Sequence, residues 1–394
     1  MKRSRQVCYN RKQEKGERII AYLLDYLYWR GDVPMTPANP FNELDAMLFS
    51  RVAYLPFSEI SLEPGDTLRT SAEKMTDLPP ESFKLPEDQT MIFAAGDSAR
   101  YGSVPVSDYQ MNNVPEQEEQ FSAVTLHMGP EELVVSYCGT DGTLVGWKED
   151  FNMAYMENVP AQESACRYLT EIAGRYPNRA IRIVGHSKGG NLAIYAACRA
   201  AEPVQRRLRT VTSFDGPGFK EDFFSKYGLA ETHEKAHTFI PQDSVIGRLL
   251  EHGEAFDVIE SDGRTGLEQH NLYLWRAGKD YILRSVGTRG TSDVSDDALS
   301  CFVRNTSDDQ RKFFVEKTFS FLMDSDQTTL SGAMAALPRR IPELLNFLSG
   351  LSEKDRKTAN ELTKEIIRDY LNSIRAVGGD RIAPKRSRQE EPNG

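Results

Sequence analysis

The chain has 394 residues, 39% hydrophobic and 27% charged, the balance of a water-soluble globular protein long enough for one large domain with additions or for two or three domains. A formal net charge of −10 and a pI of about 5.3 argue against nucleic acid as the main partner, because neutralising phosphates takes clustered Lys and Arg. The five cysteines (Cys8, Cys138, Cys166, Cys198, Cys301) form neither a zinc pattern nor a disulfide framework, so reduced thiols and a cytoplasmic setting are expected, and no apolar run reaches the roughly 18 residues of a membrane span.

In chain order, residues 1–17 read as a basic, disordered tail. Glu17 to Trp29 and Phe41 to Tyr54 carry apolar residues at helical spacing. Residues 60–88 read as a polar surface excursion with a short helix near Ser82. Strands are expected at Met91–Ala95, Gln120–His127 and Glu132–Cys138, the last two joined as a hairpin around Gly129-Pro130. Helix and strand then alternate. Helices are expected at Ala161–Arg175, Lys188–Ala201, Phe219–Tyr227 and Val245–Glu251. Strands are expected at Ala180–Gly185, Thr210–Asp215, Ala236–Ile240, Ala255–Ser261 and, at an edge, Tyr273–Ala277. This alternation predicts an α/β fold with a mostly parallel sheet. Beyond residue 290 the pattern is helical, over 294–324, 335–350 and 353–376, before a loose tail at 379–394. The organisation read from this is a tail (1–17), an α/β domain (18–285, with 18–88 its N-terminal helical part), a C-terminal helical region (290–378) and a second tail.

The chemistry concentrates at Gly185-His186-Ser187-Lys188-Gly189, which follows the strand Ala180–Val184 and opens a helix. Strand, tight turn and helix are the context in which G-x-S-x-G presents a nucleophilic serine. Glycine is needed two residues to either side of Ser187, at Gly185 and Gly189, because side chains there collide with neighbouring elements. The helix N-terminus supplies free N–H groups, and that of Lys188 can face an oxyanion. His186, between glycine and serine, is read as lining the elbow and not as the base.

A serine nucleophile needs a base and the base an orienting carboxylate, in the chain order Ser, Asp or Glu, His for this fold. The carboxylate is expected two strands after the nucleophile, which selects Asp243 in Pro241-Gln-Asp-Ser-Val245. Its rival is Asp215 in Phe214-Asp-Gly-Pro217, one strand earlier. The histidine is expected beyond one more strand, which selects His270 over His233, His237 and His252. A second oxyanion donor is expected from the loop after an early strand, where Gly139-Thr140-Asp141-Gly142 offers the Thr140 N–H and hydroxyl, with Gly139 allowing close backbone approach and Trp147 and Asp150 bracing the loop. No metal or cofactor is expected.

These segments resemble a known family. Ser136-Tyr-Cys-Gly-Thr-Asp-Gly-Thr-Leu-Val-Gly-Trp147 is similar to the oxyanion loop of class 3 lipases, and Ile183-Val-Gly-His-Ser-Lys-Gly-Gly-Asn-Leu-Ala193 to their nucleophile segment. The closer resemblance is to the DUF2974 proteins, a bacterial family of hydrolases, which are similar also in Asp25-Tyr-Leu-Tyr-Trp-Arg-Gly-Asp32 and Pro40-Phe-Asn-Glu-Leu-Asp45. It covers roughly residues 18 to 285 and implies an α/β-hydrolase fold acting on an acyl ester. Two departures stand out: Cys138 where class 3 lipases usually carry Arg, and Lys188 where they place a small or apolar residue. Both are expected to make the mouth more polar and count against long-chain triglyceride. No strongly apolar lid is visible between Thr140 and Asp150.

The function expected is therefore a serine acyl hydrolase with Ser187, His270 and Asp243 as its triad, acting on a small-molecule or lipid ester. A thioesterase or peptidase on the same triad, or a catalytically silent scaffold, are the alternatives. Contact with a membrane surface through the basic, amphipathic residues 1–30 is a further expectation; the oligomeric state is not legible.

Overall fold

The computed structural model describes residues 21–227, 232, 234–285, 303, 306–353 and 357. Expectations for residues 1–17, for 294–302, for most of the 353–376 helix and for the C-terminal tail lie outside them.

A seven-stranded sheet runs β1 (Val106–Val114), β2 (Glu119–His127), β3 (Glu132–Tyr137), β4 (Ala180–His186), β5 (Leu208–Phe214), β6 (Ala236–Pro241) and β7 (Ala255–Ile259), in that spatial order. The first three strands are antiparallel neighbours and β3 to β7 are parallel. Crossovers of the usual right hand between sequentially ordered parallel strands deliver their helices to one face. Accordingly α6 (Pro160–Arg175) and α7 (Lys188–Arg199) share a cluster with Leu133, Val135, Ile181, Ile183 and Val211. The alternating residues Val134 and Val184 face the other way.

That second face would be bare without the N-terminal segment. Helices α1 (Leu23–Arg30), α2 (Glu43–Val52), α3 (Leu68–Lys74) and α4 (Pro86–Asp97) cover it. Helix α2 starts with a capping box in which the Asn42 side chain accepts from the Asp45 N–H at 3.1 Å and Asp45 returns the bond to the Asn42 N–H at 2.9 Å. Its residues Leu44, Met47, Leu48, Phe49 and Val52 are fully buried, each worth about 1.5–3 kcal/mol in area removed from water. Both faces of the sheet are thus covered, giving the α/β-hydrolase type of fold.

Several expected elements differ. Met91–Ala95 is not a strand but the middle of α4: Pro86 at the first helical position and Glu87 and Asp88 in the first turn begin a helix there. Residues 60–88 hold α3 and a 3₁₀ turn at Pro80–Ser82. Val245–Glu251 forms only a 3₁₀ turn, Ile246–Arg248. Tyr273–Ala277 is no strand; a 3₁₀ turn at Leu272–Leu274 precedes isolated pairings of Trp275 with Ser261 and of Ala277 with Ile282. Strand β1 is an addition, polar and interrupted by a register shift between Ser107 and Gln110. So is α5 (Leu144–Asn152), directly after the Gly139–Gly142 loop. The C-terminal helices α8 (Asp308–Met323) and α9 (Ile341–Gly350) are present. Helix α8 packs on α5 through Leu144, Val315, Phe319 and Leu322, with Trp147 and Phe151 at the margin. Among the described residues no helix is long and apolar enough to cross a membrane.

Candidate active site

Strand β4 ends at His186, and the chain turns at Ser187 with φ 59° and ψ −135° before α7 begins at Lys188. This backbone conformation costs a non-glycine residue about 1–3 kcal/mol and persists only where the surroundings impose it. They do so here. A Cβ at Gly185 would lie 2.0 Å from the Gly189 carbonyl oxygen, and one at Gly189 would lie 2.2 Å from that of Tyr137. The Ser187 N–H donates to the Phe214 carbonyl at 2.9 Å, which ties the turn to the end of β5. The Lys188 N–H, first in α7, has no intrahelical acceptor.

His270 follows β7, and its Nδ1 lies 2.6 Å from Asp215 Oδ2. Asp215 is completely buried and has φ 52°. Its other oxygen accepts from Ser244 Oγ at 2.5 Å and from the Gly247 N–H at 3.1 Å. Asp243, expected to hold the histidine, does not touch it. Its exposed carboxylate accepts from Gln269 Nε2 at 2.8 Å, and its N–H donates to Gln269 Oε1 at 2.8 Å. The reason is register. In the parallel pair β4–β5, His186 lies opposite Phe214, so the residue after each strand, Ser187 and Asp215, emerges side by side. One strand further on, β6 delivers Asp243 to the residue before His270. The carboxylate expectation is thus corrected from Asp243 to Asp215, its weighed rival.

Two further contacts fix where His270 sits. The His186 ring lies 4.4 Å from that of His270, and its Nε2 donates to the His270 carbonyl at 2.9 Å. His186 Nδ1 faces Tyr54 Oη at 3.1 Å and Arg51 Nη1 at 3.4 Å. Burial, His270 and Arg51 hold the His186 pKa well below the ordinary range, so the ring is neutral, with Nδ1 the acceptor. His186 is therefore a bracket for His270, its ring held between His270, Tyr54 and Arg51. Ser187 and His270 line one cavity of about 290 Å³; among the described residues no hydrogen bond joins their side chains. Catalytic hydrogen bonds are often loose without substrate and tighten in the complex.

The Gly139–Gly142 loop reaches this point. A Cβ at Gly139 would stand 3.0 Å from the Ser187 Cβ and 2.2 Å from Tyr54 Oη, so only glycine fits. Thr140 lines the cavity, but its hydroxyl is engaged, donating to Asp150 Oδ2; the expected hydroxyl donor is unavailable and the N–H is left. Asp150 braces the loop as expected, and burial pushes its carboxyl up to about 6 against the opposing pull of Lys188 and Thr140.

Lys188 does not make the mouth polar. Its ammonium runs inward, donating to Glu149 Oε2 at 3.0 Å, Gln120 Oε1 at 2.7 Å and the Gln120 carbonyl at 2.9 Å. Glu149 is fully buried, and its oxygens also accept the N–H groups of Gln120 and Ala161 at 3.0 and 2.7 Å. Cys138 is likewise buried, its thiol pushed up to about 12 by desolvation.

Sequence reasoning missed the contribution of the N-terminal helices. Arg51, Tyr54 and Lys84 all line the cavity. Arg51 is bidentate to the buried Asp88, at 2.9 and 2.6 Å, and its guanidinium lies 4.0 Å from the Tyr54 ring centre. A signal existed: Arg51 is a cation at the end of an apolar helical run, a place where a buried partner must be found. For Lys84 there was none. Helix α8 supplies the far wall with Arg311 and Val315, so the C-terminal helices take part in enclosing the cavity.

No curated protein matches this chain. Among solved structures it is similar to a mutant form of MDLA from Penicillium cyclopium, with 14% identity over 65% of this chain and 90% of that one and a TM-score of 0.37. It is similar also to the Lip2 lipase of Yarrowia lipolytica, with 12% identity over 62% and 97% and a TM-score of 0.35. For the Rhizomucor miehei lipase propeptide complex the identity is 11% over 55% and 67%, with a TM-score of 0.33. A family model described as Mbeg1-like matches residues 95–320.

Proposed function

This chain belongs to the Mbeg1-like family, and from that premise and the geometry around Ser187 we propose that it is a serine acyl hydrolase cleaving a carboxylic ester. The observation that carries the proposal is the buried Asp215 bound to His270 Nδ1 at 2.6 Å, on the cavity that Ser187 also lines. A carboxylate on Nδ1 fixes the tautomer that leaves Nε2 unprotonated. In the reaction Ser187 Oγ attacks the ester carbonyl carbon and its proton passes to His270 Nε2. The N–H groups of Lys188 and Thr140 stabilise the oxyanion. As the tetrahedral intermediate collapses, the leaving alcohol takes that proton. Water, deprotonated by the same nitrogen, then attacks the acyl-enzyme and releases the acid and Ser187. The substrate is a small-molecule or lipid ester held against the largely apolar wall of α5 and α8.

The test is covalent labelling. A fluorophosphonate probe is expected to attach to Ser187, with labelling and hydrolysis of 4-nitrophenyl esters both lost in Ser187→Ala. Labelling that persists in Ser187→Ala at another residue overturns the assignment.

A further inference from the structure

The charges around the cavity do not balance, and the imbalance has one source. Four cationic residues line it, Arg51, Lys84, Lys188 (its ammonium turned inward) and Arg311, against a single acidic one among the described lining residues, Asp150. Three of the cations have their own counter-charge: Arg51 has Asp88, Lys188 has Glu149, and Arg311 has Asp308. Lys84 has none. Among the described residues no carboxylate lies within ion-pair distance of its ammonium, and its polar contact is a hydrogen bond to the Thr140 carbonyl oxygen. Asp141 and Asp150 act on it at longer range only. The Lys84 stem is exposed, but its Nζ turns inward, 4.8 Å from the centre of the Tyr54 ring. Tyr54 in turn contacts His186, the residue before Ser187. An ammonium has three N–H donors, and among the described residues one of the three has an acceptor, the Thr140 carbonyl beside Ser187.

We propose that Lys84 receives an anionic group of the substrate, so that the ester this site takes carries a carboxylate or phosphate a short distance from the carbonyl that Ser187 attacks. The inference rests on the serine hydrolase reading and narrows its substrate class: a neutral triester leaves the Lys84 ammonium partly desolvated and unmatched, whereas an anion supplies the missing charge-assisted hydrogen bonds. Asp150 does not serve as the counter-charge, being held by Thr140 and lying 3.8 Å from Lys188.

The anion can sit in either half of the ester, and the experiment separates the two. In the acyl arm, kcat/KM is compared for 4-nitrophenyl butyrate and 4-nitrophenyl hemisuccinate. In the alcohol arm, it is compared for 1-butyrylglycerol and its 3-phosphate. Each pair is measured with the native chain, Lys84→Gln and Lys84→Arg. The expected result is a preference of about tenfold for the charged member in at least one arm, reduced to within roughly twofold by Lys84→Gln and partly kept by Lys84→Arg. The arm that shows it identifies the half carrying the anion. Equal losses for charged and neutral esters in Lys84→Gln overturn the proposal and leave Lys84 as a brace for the Thr140 loop. A third measurement does not need turnover: calorimetric binding of decyl phosphate and decanoate against decanol. Anion binding that weakens about tenfold in Lys84→Gln, without any ester hydrolysis, upholds the anion site and sinks the hydrolase reading. Hydrolysis with no preference for charge in either arm does the reverse.

Discussion

At one wall of the cavity, Ser187 and Lys188, with Asp215 buried behind His270, are set by backbone geometry and by buried polar contacts: two left-handed φ angles, glycines that nothing larger can replace, and a lysine whose ammonium has three acceptors. On the opposite wall, α5 and α8 meet through the apolar side chains of Leu144, Val315, Phe319 and Leu322. The segment after α8 adds a hydrogen bond from the Leu144 N–H to the Thr328 carbonyl at 2.9 Å. Polar contacts in a low-dielectric interior have one satisfactory arrangement and are costly to leave half-made. Apolar contacts tolerate exchange of residues of similar volume. The elbow wall is therefore built for positioning, and the helical wall for accommodating a substrate of some particular shape.

That contrast can be broken by substitution. The largest effect is expected from Asp215→Asn, which keeps an acceptor for Ser244 and Gly247 but presents the wrong group to His270. Ester turnover should fall by about 10⁴-fold with the fold intact by circular dichroism, and a loss of less than tenfold means Asp215 does not orient the base. Next is Glu149→Ala, which strands the Lys188 ammonium in the interior; urea denaturation should report a loss of about 3–5 kcal/mol. Replacing both members, as Glu149→Leu with Lys188→Met, should recover part of it.

His186 gives a smaller effect, in pH dependence. Its folded pKa is depressed by burial, while the unfolded chain takes up a proton near the ordinary value of about 6.5. The unfolded state thus binds more protons below that pH, and stability falls on acidification by up to about 1.4 kcal/mol per pH unit. Denaturation midpoints between pH 7.5 and 5 should show a shallower decline in His186→Gln than in the native chain; identical slopes dismiss the idea that the ring is held neutral. On the helical wall, Val315→Trp should lower kcat/KM for a decanoyl ester relative to a butyryl ester by about tenfold. If both fall alike, the wall shapes catalysis and not acyl length. The smallest effect is expected from Asp243→Asn, a decrease of a few-fold at most, because its carboxylate reaches Gln269 and not the imidazole.

Much of the fold was legible where the signal is local. The β2–β3 hairpin, β4 and the amphipathic α6 each announce themselves within fifteen or so residues. Met91–Ala95 misled because an apolar run of five suits a buried helix as well as a strand, and Pro86 with the acids after it was the better guide. Strand β1 escaped because Ser107, Asp108, Asn112 and Asn113 are poor strand formers, tolerated at a sheet edge.

What the sequence alone determined is the turn at Ser187. A strand, five residues with glycine at both ends, and a helix mark the turn within a dozen positions, although the contacts that hold it come also from Tyr137 and Phe214. Only the tertiary structure decided which carboxylate meets His270, where the Lys188 ammonium goes, and that α2 and the segment before α4 contribute Arg51, Tyr54 and Lys84 to the cavity. Those outcomes depend on strand register and on the meeting of segments from 28 to more than 100 residues apart: the β4–β5 register sets Asp215 beside Ser187, while Asp243 follows the next strand and reaches Gln269.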